Sequence, residues 1–354
     1  MLYLTLILCL LASILLTPLV KQLAFKIGAT DKPNQRKVHQ KIMPRLGGLA
    51  IYLSFLIGIL IIQPIEEVHL PIVIGSAIII LTGIVDDIKE LSPKIKLLGQ
   101  IVAAFIVVVI GGMNVEFINL PFGGKIDFGF LSIPFTMIWI IGITNAINLI
   151  DGLDGLASGV STIALFSIAG MAALFGNPYV VVIALIVAFS TLGFLVFNFH
   201  PAKIFMGDSG ALFLGYIIAV LSILGFKNVT FISLVIPVII LGVPISDTFF
   251  AIIRRVVNKQ SISAPDKSHL HHCLLRIGYS HKQTVLLIYA MSAIFSLAAF
   301  IFSLSTVWGS LIMLFSMIIT IEIFVEKIGL VREDYKPLLK FLKILKPAHN
   351  RNKA

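Results

Sequence analysis

Residues 179–221 read YVVVIALIVAFSTLGFLVFNFHPAKIFMGDSGALFLGYIIAVL. Two apolar runs, 18 residues before and, with the SILGF that follows, 16 after, approach the roughly 20 residues that an α-helix needs to cross a hydrocarbon core of about 30 Å, and they flank a polar island, FNFHPAKIFMGDSG. Run, island and run again is the pattern of a helical membrane protein that crosses the bilayer more than once. The whole chain agrees, with 58% hydrophobic and only 12% charged residues and a mean hydropathy of +1.05. Soluble domains carry about a quarter charged residues. Apolar runs recur along nearly the full length and leave no room for a separate soluble domain. Cys9 and Cys273 are too few and too differently placed for a disulfide framework.

Apolar runs closed by polar clusters give eleven expected spans, beginning near residues 2, 46, 70, 97, 132, 156, 178, 209, 229, 284 and 307. The third, LPIVIGSAIIILTGIV, reads as the shortest. The first, LYLTLILCLLASILLTPLV, lacks a basic lead and a small-residue cleavage site, so it is expected to be a retained span. Basic residues set the sidedness. With the N-terminus outside, segments assigned to the cytoplasm hold 25 of the 27 Lys and Arg, and only Lys125 and Lys227 fall outside. A basic C-terminus on the inside then requires an odd number of spans. The expected fold is an all-α polytopic membrane protein of eleven helices, N-terminus out and C-terminus in. Its transmembrane domain covers residues 1–326, and residues 327–354 form a basic cytoplasmic tail. In the tail, Leu338, Leu342 and Leu345 oppose Lys336, Lys340 and Lys343, the pattern of a helix lying on an anionic membrane surface. Outside, NVEFINLPFGGKIDFG alternates around FGGK and predicts a small β-hairpin.

Five polar clusters remain, and all fall on the cytoplasmic side. They are the first loop ending in PRLGG with Arg45, GIVDDIKELSPKIK with Asp86, Asp87 and Lys96, and TNAINLIDGLDGLA with Asn148, Asp151 and Asp154. The other two are FNFHPAKIFMGDSG with Asn198 and Asp208, and APDKSHLHH with His269, His271 and His272. Convergence of five regions on one face predicts an active site there. A carboxylate beside apolar helix costs roughly 2.5–3.5 kcal/mol on insertion scales, so Asp151 and Asp154 need a partner, and no Lys or Arg lies between Lys125 and Lys203. Asp208 reads either as a helix cap or, with Asn148 or Asp151, as a set of hard oxygen ligands of the kind Mg²⁺ prefers. The histidines stand at i, i+2 and i+3, which matches no HExxH helix. With Arg254, Arg255 and Lys267 nearby, an anion-binding loop is favoured over a zinc site. In the first loop Lys32, Arg36, Lys37, His39 and Lys41 read mainly as topogenic charge, and Arg45 as a second phosphate contact. Carboxylates, cations and adjacent apolar helices together suit phosphoryl transfer between a soluble diphosphate and a lipid phosphate.

GIVDD, NAINLIDGLDGLA, NFHPAKIFMGDSG and PDKSHLHH, in this order, resemble the polyprenyl-phosphate N-acetylhexosamine-1-phosphate transferases, the MraY/WecA superfamily. The resemblance runs from the first loop through HLHH and is strongest to the branch of WecA and the TagO/TarO teichoic-acid initiating enzymes. It implies transfer of GlcNAc-1-phosphate from UDP-GlcNAc to undecaprenyl phosphate, with release of UMP, on the cytoplasmic face of a bacterial plasma membrane. The product would open wall teichoic acid or a related envelope glycan.

By position, the resemblance makes Asp86, Asp87, Asp151 and Asp208 the catalytic carboxylates and Asp208 with Asn148 the ligands of Mg²⁺, with Mn²⁺ the alternative ion. Asn148, Asp154, Asn198, Lys96, Arg45, Arg254, Arg255, His269, His271 and His272 would bind substrate. The implied partners are the two substrates and the lipid bilayer, with a homodimer as a natural assembly and no nucleic acid. A lipid phosphate is already largely dianionic at neutral pH. Asp86 and Asp87 are therefore expected to position groups more than to remove a proton, in a direct in-line attack whose rival is a covalent phosphosugar on an Asp. Two alternatives stand: the same chemistry on another UDP-sugar such as UDP-GalNAc, and a transporter, whose polar groups would gather at the bilayer midplane instead.

Overall fold

The computed structural model describes residues 1–31, 42–226, 231–261, 266, 268–330 and 336–345. Lys32, Arg36, Lys37, His39, Lys41, Lys227 and Lys267 lie outside the described residues. In chain order the helices are α1 (Leu2–Ile27), α2 (Gly47–Ile62), α3 (His69–Lys89), α4 (Pro93–Phe105, continued by a π-helical turn to Ile110), α5 (Ser132–Ile150), α6 (Leu156–Leu174) and α7 (Pro178–Asn198). There follow α8 (Gly207–Phe226), α9 (Phe231–Ile240), α10 (Gly242–Val257), α11 (Leu270–Ile277), α12 (His281–Leu304), α13 (Val307–Ile328) and α14 (Pro337–Leu345). Two antiparallel pairs complete the order: β1 (Thr30–Asp31) with β2 (Met43–Pro44), and β3 (Phe117–Asn119) with β4 (Lys125–Asp127). The second pair is the hairpin expected around FGGK.

Helix ends follow local chemistry. Asn177 accepts from the Val180 N–H at 3.1 Å and is followed by Pro178, which starts α7 without a donor to satisfy. A reciprocal Ser280–Gln283 capping box starts α12. Gly28, at φ 79°, ends α1.

Among the described residues, nine helices are long and apolar enough to cross a membrane, or ten when the pair α9–α10, bent by 83°, counts as one span. The protein is thus an all-α, multi-pass membrane protein. The expected eleven depends on that bent pair and on α2, whose 16 residues span about 24 Å at 1.5 Å per residue. The third span is not the shortest: α3 has 21 residues because it runs on through Asp86 and Asp87 to Lys89.

The bundle is built around α8, which is almost wholly enclosed, with α6 next, whereas α13 is hardly enclosed at all. Lipid is as apolar as Leu, so helices associate through close packing more than through hydrophobic burial. Here small residues supply it. A Cβ on Gly48 of α2 would overlap the backbone of Gly210 in α8, and one on Gly83 of α3 would overlap that of Ser209. Parallel pairing of Arg45 with Phe205, and donation by Gly47 N to Phe205 O (3.0 Å) and Gly48 N to Met206 O (2.9 Å), fasten the start of α2 to the start of α8. With the approach of Gly83 to Ser209, these contacts bring α2, α3 and α8 together at one end of the bundle.

Candidate active site

At that end the C-termini of α3, α5 and α7 meet the N-termini of α4, α6, α8 and α12. Lys96, one turn into α4, joins two carboxylates: its Nζ lies 3.1 Å from Asp86 Oδ2 and 2.6 Å from Asp208 Oδ2. Asp86 also accepts the Leu91 N–H at 2.7 Å, across the α3–α4 turn. Asp87 is 1% exposed and points at α8, where its two oxygens accept Asp208 N (2.9 Å) and Ser209 N (3.1 Å). These are orphan donors of a helix N-terminus. The cap of α8 is therefore Asp87 from another helix, not Asp208 itself as one of its two sequence readings had it. Capping by Asp87 releases the Asp208 side chain for Lys96. Gly207 sits between them at φ +73°, and a Cβ there would come within 2.5 Å of Asp87 Oδ2. Arg45 donates to the last carbonyls of α3, Asp87 O at 3.1 Å and Asp86 O at 3.3 Å, and lies 3.6 Å from Glu90. The expected phosphate contact is thus a group already closing a helix end.

A second network joins the α5–α6 turn to the α7–α8 loop. Asn198 is 3% exposed and uses both ends of its amide: Oδ1 accepts from Gly155 N (3.1 Å) and Ser158 Oγ (2.8 Å), and Nδ2 donates to Ile204 O (3.0 Å). It is placed as a clip between loops. Asp154 Oδ2 faces His200 Nδ1 at 2.8 Å and accepts Ala202 N at 3.1 Å, while its own N–H donates to His281 Nε2 at 3.0 Å. His200 and His281 stack with ring centroids 4.1 Å apart. Their facing nitrogens and the Asp154 carboxylate lie within 4.8 Å of one another, yet those atoms already bond to each other or to backbone. Beneath the site Gln100 and Asn145 exchange amide hydrogen bonds of 2.6 and 3.3 Å, locking α4 to α5 one turn from Lys96 and Asn148.

The histidine loop closes the third side. His269 Nδ1 lies 2.9 Å from Asp247 Oδ2. The ring of His271, 3% exposed, packs onto Gly152 of the α5–α6 turn, where any Cβ would strike Nε2. Gly152 is therefore needed for close approach, and Gly155, at φ +77°, for the turn itself. Burial, with His272 alongside, pushes the His271 pKa down to about 3, so the ring is neutral at pH 7. Its Nε2 has no hydrogen-bond partner among the described residues. His272 packs at 4.2 Å from that ring. Arg254, expected at a pyrophosphate, instead clamps Asp266, with Nε at 3.0 Å from Oδ2, and donates to Leu330 O. Arg255 is buried beside it. Asp247, His200 and His281 were missed by the sequence argument. Asp247 alone carried a legible signal, a lone carboxylate in an apolar helix.

Asn148 and Asp151 are the groups left over. Among the described residues neither side chain has a hydrogen bond or ion pair, and removal from water, with Asp208 and Asp154 close by, pushes the Asp151 pKa up to about 8. The folded protein then holds this proton more tightly than the unfolded chain. The associated stability is complete below the ordinary carboxylate range and is lost as pH rises through about 8. In chelator, the unfolding midpoint should fall by several °C (about 2–4 °C per kcal/mol) between pH 5 and 9, and Asp151→Asn should flatten the fall. Equal slopes in the two proteins would refute this.

A centre of carboxylates, one lysine and imidazoles at the end of an apolar bundle can bind phosphates next to lipid. Residues 69–226 match the model of glycosyl transferase family 4, and the chain belongs to that family, the polyprenyl-phosphate sugar-1-phosphate transferases its motifs resemble. A Bacillus subtilis protein named probable undecaprenyl-phosphate N-acetylglucosaminyl 1-phosphate transferase is 52% identical over 96% of this chain and 95% of its own length. A decaprenyl-phosphate N-acetylglucosaminephosphotransferase of Mycolicibacterium smegmatis is 34% identical over 88% and 84%. An undecaprenyl-phosphate alpha-N-acetylglucosaminyl 1-phosphate transferase of Thermotoga maritima is 31% identical over 80% and 86%.

Proposed function

We propose that the protein transfers GlcNAc-1-phosphate from UDP-GlcNAc to undecaprenyl phosphate, giving undecaprenyl-diphospho-GlcNAc and UMP. The observation that carries this is the Asp86–Lys96–Asp208 centre at one end of a membrane bundle, with the histidine loop packed on Gly152 next to Asp151, in a chain whose relatives bear the names above. The oxygen of the lipid phosphate attacks the sugar-side phosphorus, the bond to the bridging oxygen breaks, and UMP leaves with that oxygen. Lys96 neutralises charge on the phosphates, and His271, being neutral, contributes a hydrogen bond and no charge. Asp86 and Asp87, bound to Lys96 and to backbone N–H groups, act as positioning groups, which favours direct attack over a covalent phosphosugar on this pair.

The donor set suits Mg²⁺. Asp208, Asn148 and Asp151 offer hard oxygens, and the Asp151 carboxylate is held next to two others with no cation partner among the described residues. Asp208 and Asn148 would hold the ion, which when bound neutralises charge on the diphosphate. The site lies on the cytoplasmic face of a bacterial plasma membrane, a placement supported by the 25 inward basic residues. The product is the kind of lipid-linked sugar on which wall teichoic acid or a related envelope glycan is begun.

Purified protein given UDP-GlcNAc, undecaprenyl phosphate and Mg²⁺ should release one UMP per lipid-linked sugar formed, with none in chelator and no burst from donor alone. Release only with UDP-GalNAc would refute the donor, and a stoichiometric burst without acceptor would refute direct attack.

A further inference from the structure

We propose that Asp247 is the positioning residue of the histidine loop. It fixes the tautomer of His269 and anchors the helix that carries His271 and His272. The inference rests on the glycosyl-phosphate transfer proposed above only for its kinetic consequence.

Asp247 lies in α10, the second half of the broken span, and is 2% exposed. A buried carboxylate in an otherwise apolar helix is costly unless donors surround it. Two donors do, and both belong to the loop. His269 Nδ1 stands 2.9 Å from Oδ2, and the Leu270 N–H donates to Oδ1 at 2.8 Å. A carboxylate only accepts hydrogen bonds, so His269 must carry its proton on Nδ1 and present Nε2 on the far side of the ring. Leu270 is the first residue of α11, and its N–H is one of the orphan donors of that helix start. One side chain therefore sets both the chemistry of His269 and the place where α11 begins.

His271 inherits that placement. Its ring lies parallel to that of His269, with centroids 6.1 Å apart and planes at 3°, and it rests on Gly152 beside Asp151. Seven residues further along α10, Arg254 holds Asp266, whose Oδ1 accepts the Ser268 N–H at 2.8 Å. Thus α10 grips the loop on both sides of His269, through Asp266 and Ser268 before it and Leu270 after it. The carboxylate meets no substrate itself and acts through the imidazole. Carboxylate–histidine pairs of this kind, when broken, cost about 10–100-fold in activity or metal affinity at metal sites, where they have been measured.

Asp247→Asn is nearly isosteric. Its Oδ1 still accepts the Leu270 N–H, but its amide group now donates toward His269 Nδ1 and forces the proton to Nε2. Full-length protein labelled with ¹⁵N-histidine, the His269 signals being those absent from His269→Ala, should show a protonated Nδ1 in the wild type and the opposite tautomer in Asp247→Asn. The same substitution should lower kcat for UMP release by about 10–100-fold with the unfolding midpoint unchanged. Because Asp247 acts through His269, the Asp247→Asn, His269→Ala double variant should be no slower than His269→Ala alone. An unchanged His269 ring pattern, or a double variant slower than the single one, would overturn the proposal. The tautomer experiment decides it even in a protein that releases no UMP from UDP-GlcNAc, a result that would sink the proposed function instead.

Discussion

Asp208→Asn should lower turnover by about a thousandfold or more, roughly 4 kcal/mol of transition-state stabilisation, while the protein still inserts and folds. The fold survives because the cap of α8 does not use the Asp208 side chain, and its contact to Lys96 is shared with Asp86. Asp87 caps α8 through the backbone N–H groups of residues 208 and 209, which the substitution leaves in place. Lys96 loses the charge of its 2.6 Å partner but keeps Asp86 at 3.1 Å, so the cation is not left without a counter-charge. The chemistry does not survive, because a neutral amide neither orients Lys96 by charge nor supplies the carboxylate that a divalent ion requires. UMP release and the unfolding midpoint should be measured on the same preparation. Retained Mg²⁺-dependent turnover would remove Asp208 from the reaction, and loss of folded protein would make it a structural group.

Gly48→Ala should do the reverse and cost the fold before the chemistry. Its Cβ would overlap the Gly210 backbone nitrogen, an atom that no rotamer change can move aside. Helices α2 and α8 would have to separate, and with them the Arg45–Phe205 pairing that fastens the α7–α8 loop. Overpacking of a tight interior costs about 1–3 kcal/mol, and more when backbone must move, so a sharp drop in the yield of monodisperse protein is expected. Gly142→Ala is the control, since a Cβ there meets nothing within 4 Å. At such a position Ala is favoured over Gly by about 0.5–1 kcal/mol in a helix. Equal yields for the two variants would contradict the close-packed seam.

Much of the site was visible as charge out of place. Asp86, Asp87, Asp151, Asp154 and Asp208 each stand next to apolar helix, where a carboxylate demands a reason, and all five come to one end of the bundle. Lys96 was named for a phosphate and sits between two of them. Which oxygens were already committed was not visible. Asp87 and Asn198 read as reactive groups and prove to be satisfied by backbone across the fold, at separations of 121 and 43 residues in the sequence. Arg254 read as an anion binder and is taken by Asp266. Asp247 was passed over because the groups it serves lie 22 and 23 residues away, in a loop whose own sequence showed only histidines.

The membrane class, the nearly complete register of helices and the five polar clusters were determined by the residues alone. Hydropathy and charge act through the solvent, which every residue meets independently of its distant neighbours. The division of the polar groups into those that hold the structure and those left for a ligand was decided only by the tertiary fold. Hydrogen bonds are short and directional, and a carboxylate that caps a foreign helix is indistinguishable in sequence from one that awaits a phosphate or a metal. Asn148, Asp151 and His271 Nε2 emerge as site groups without hydrogen-bond partners among the described residues, and Asp247 as the hand that holds the histidines.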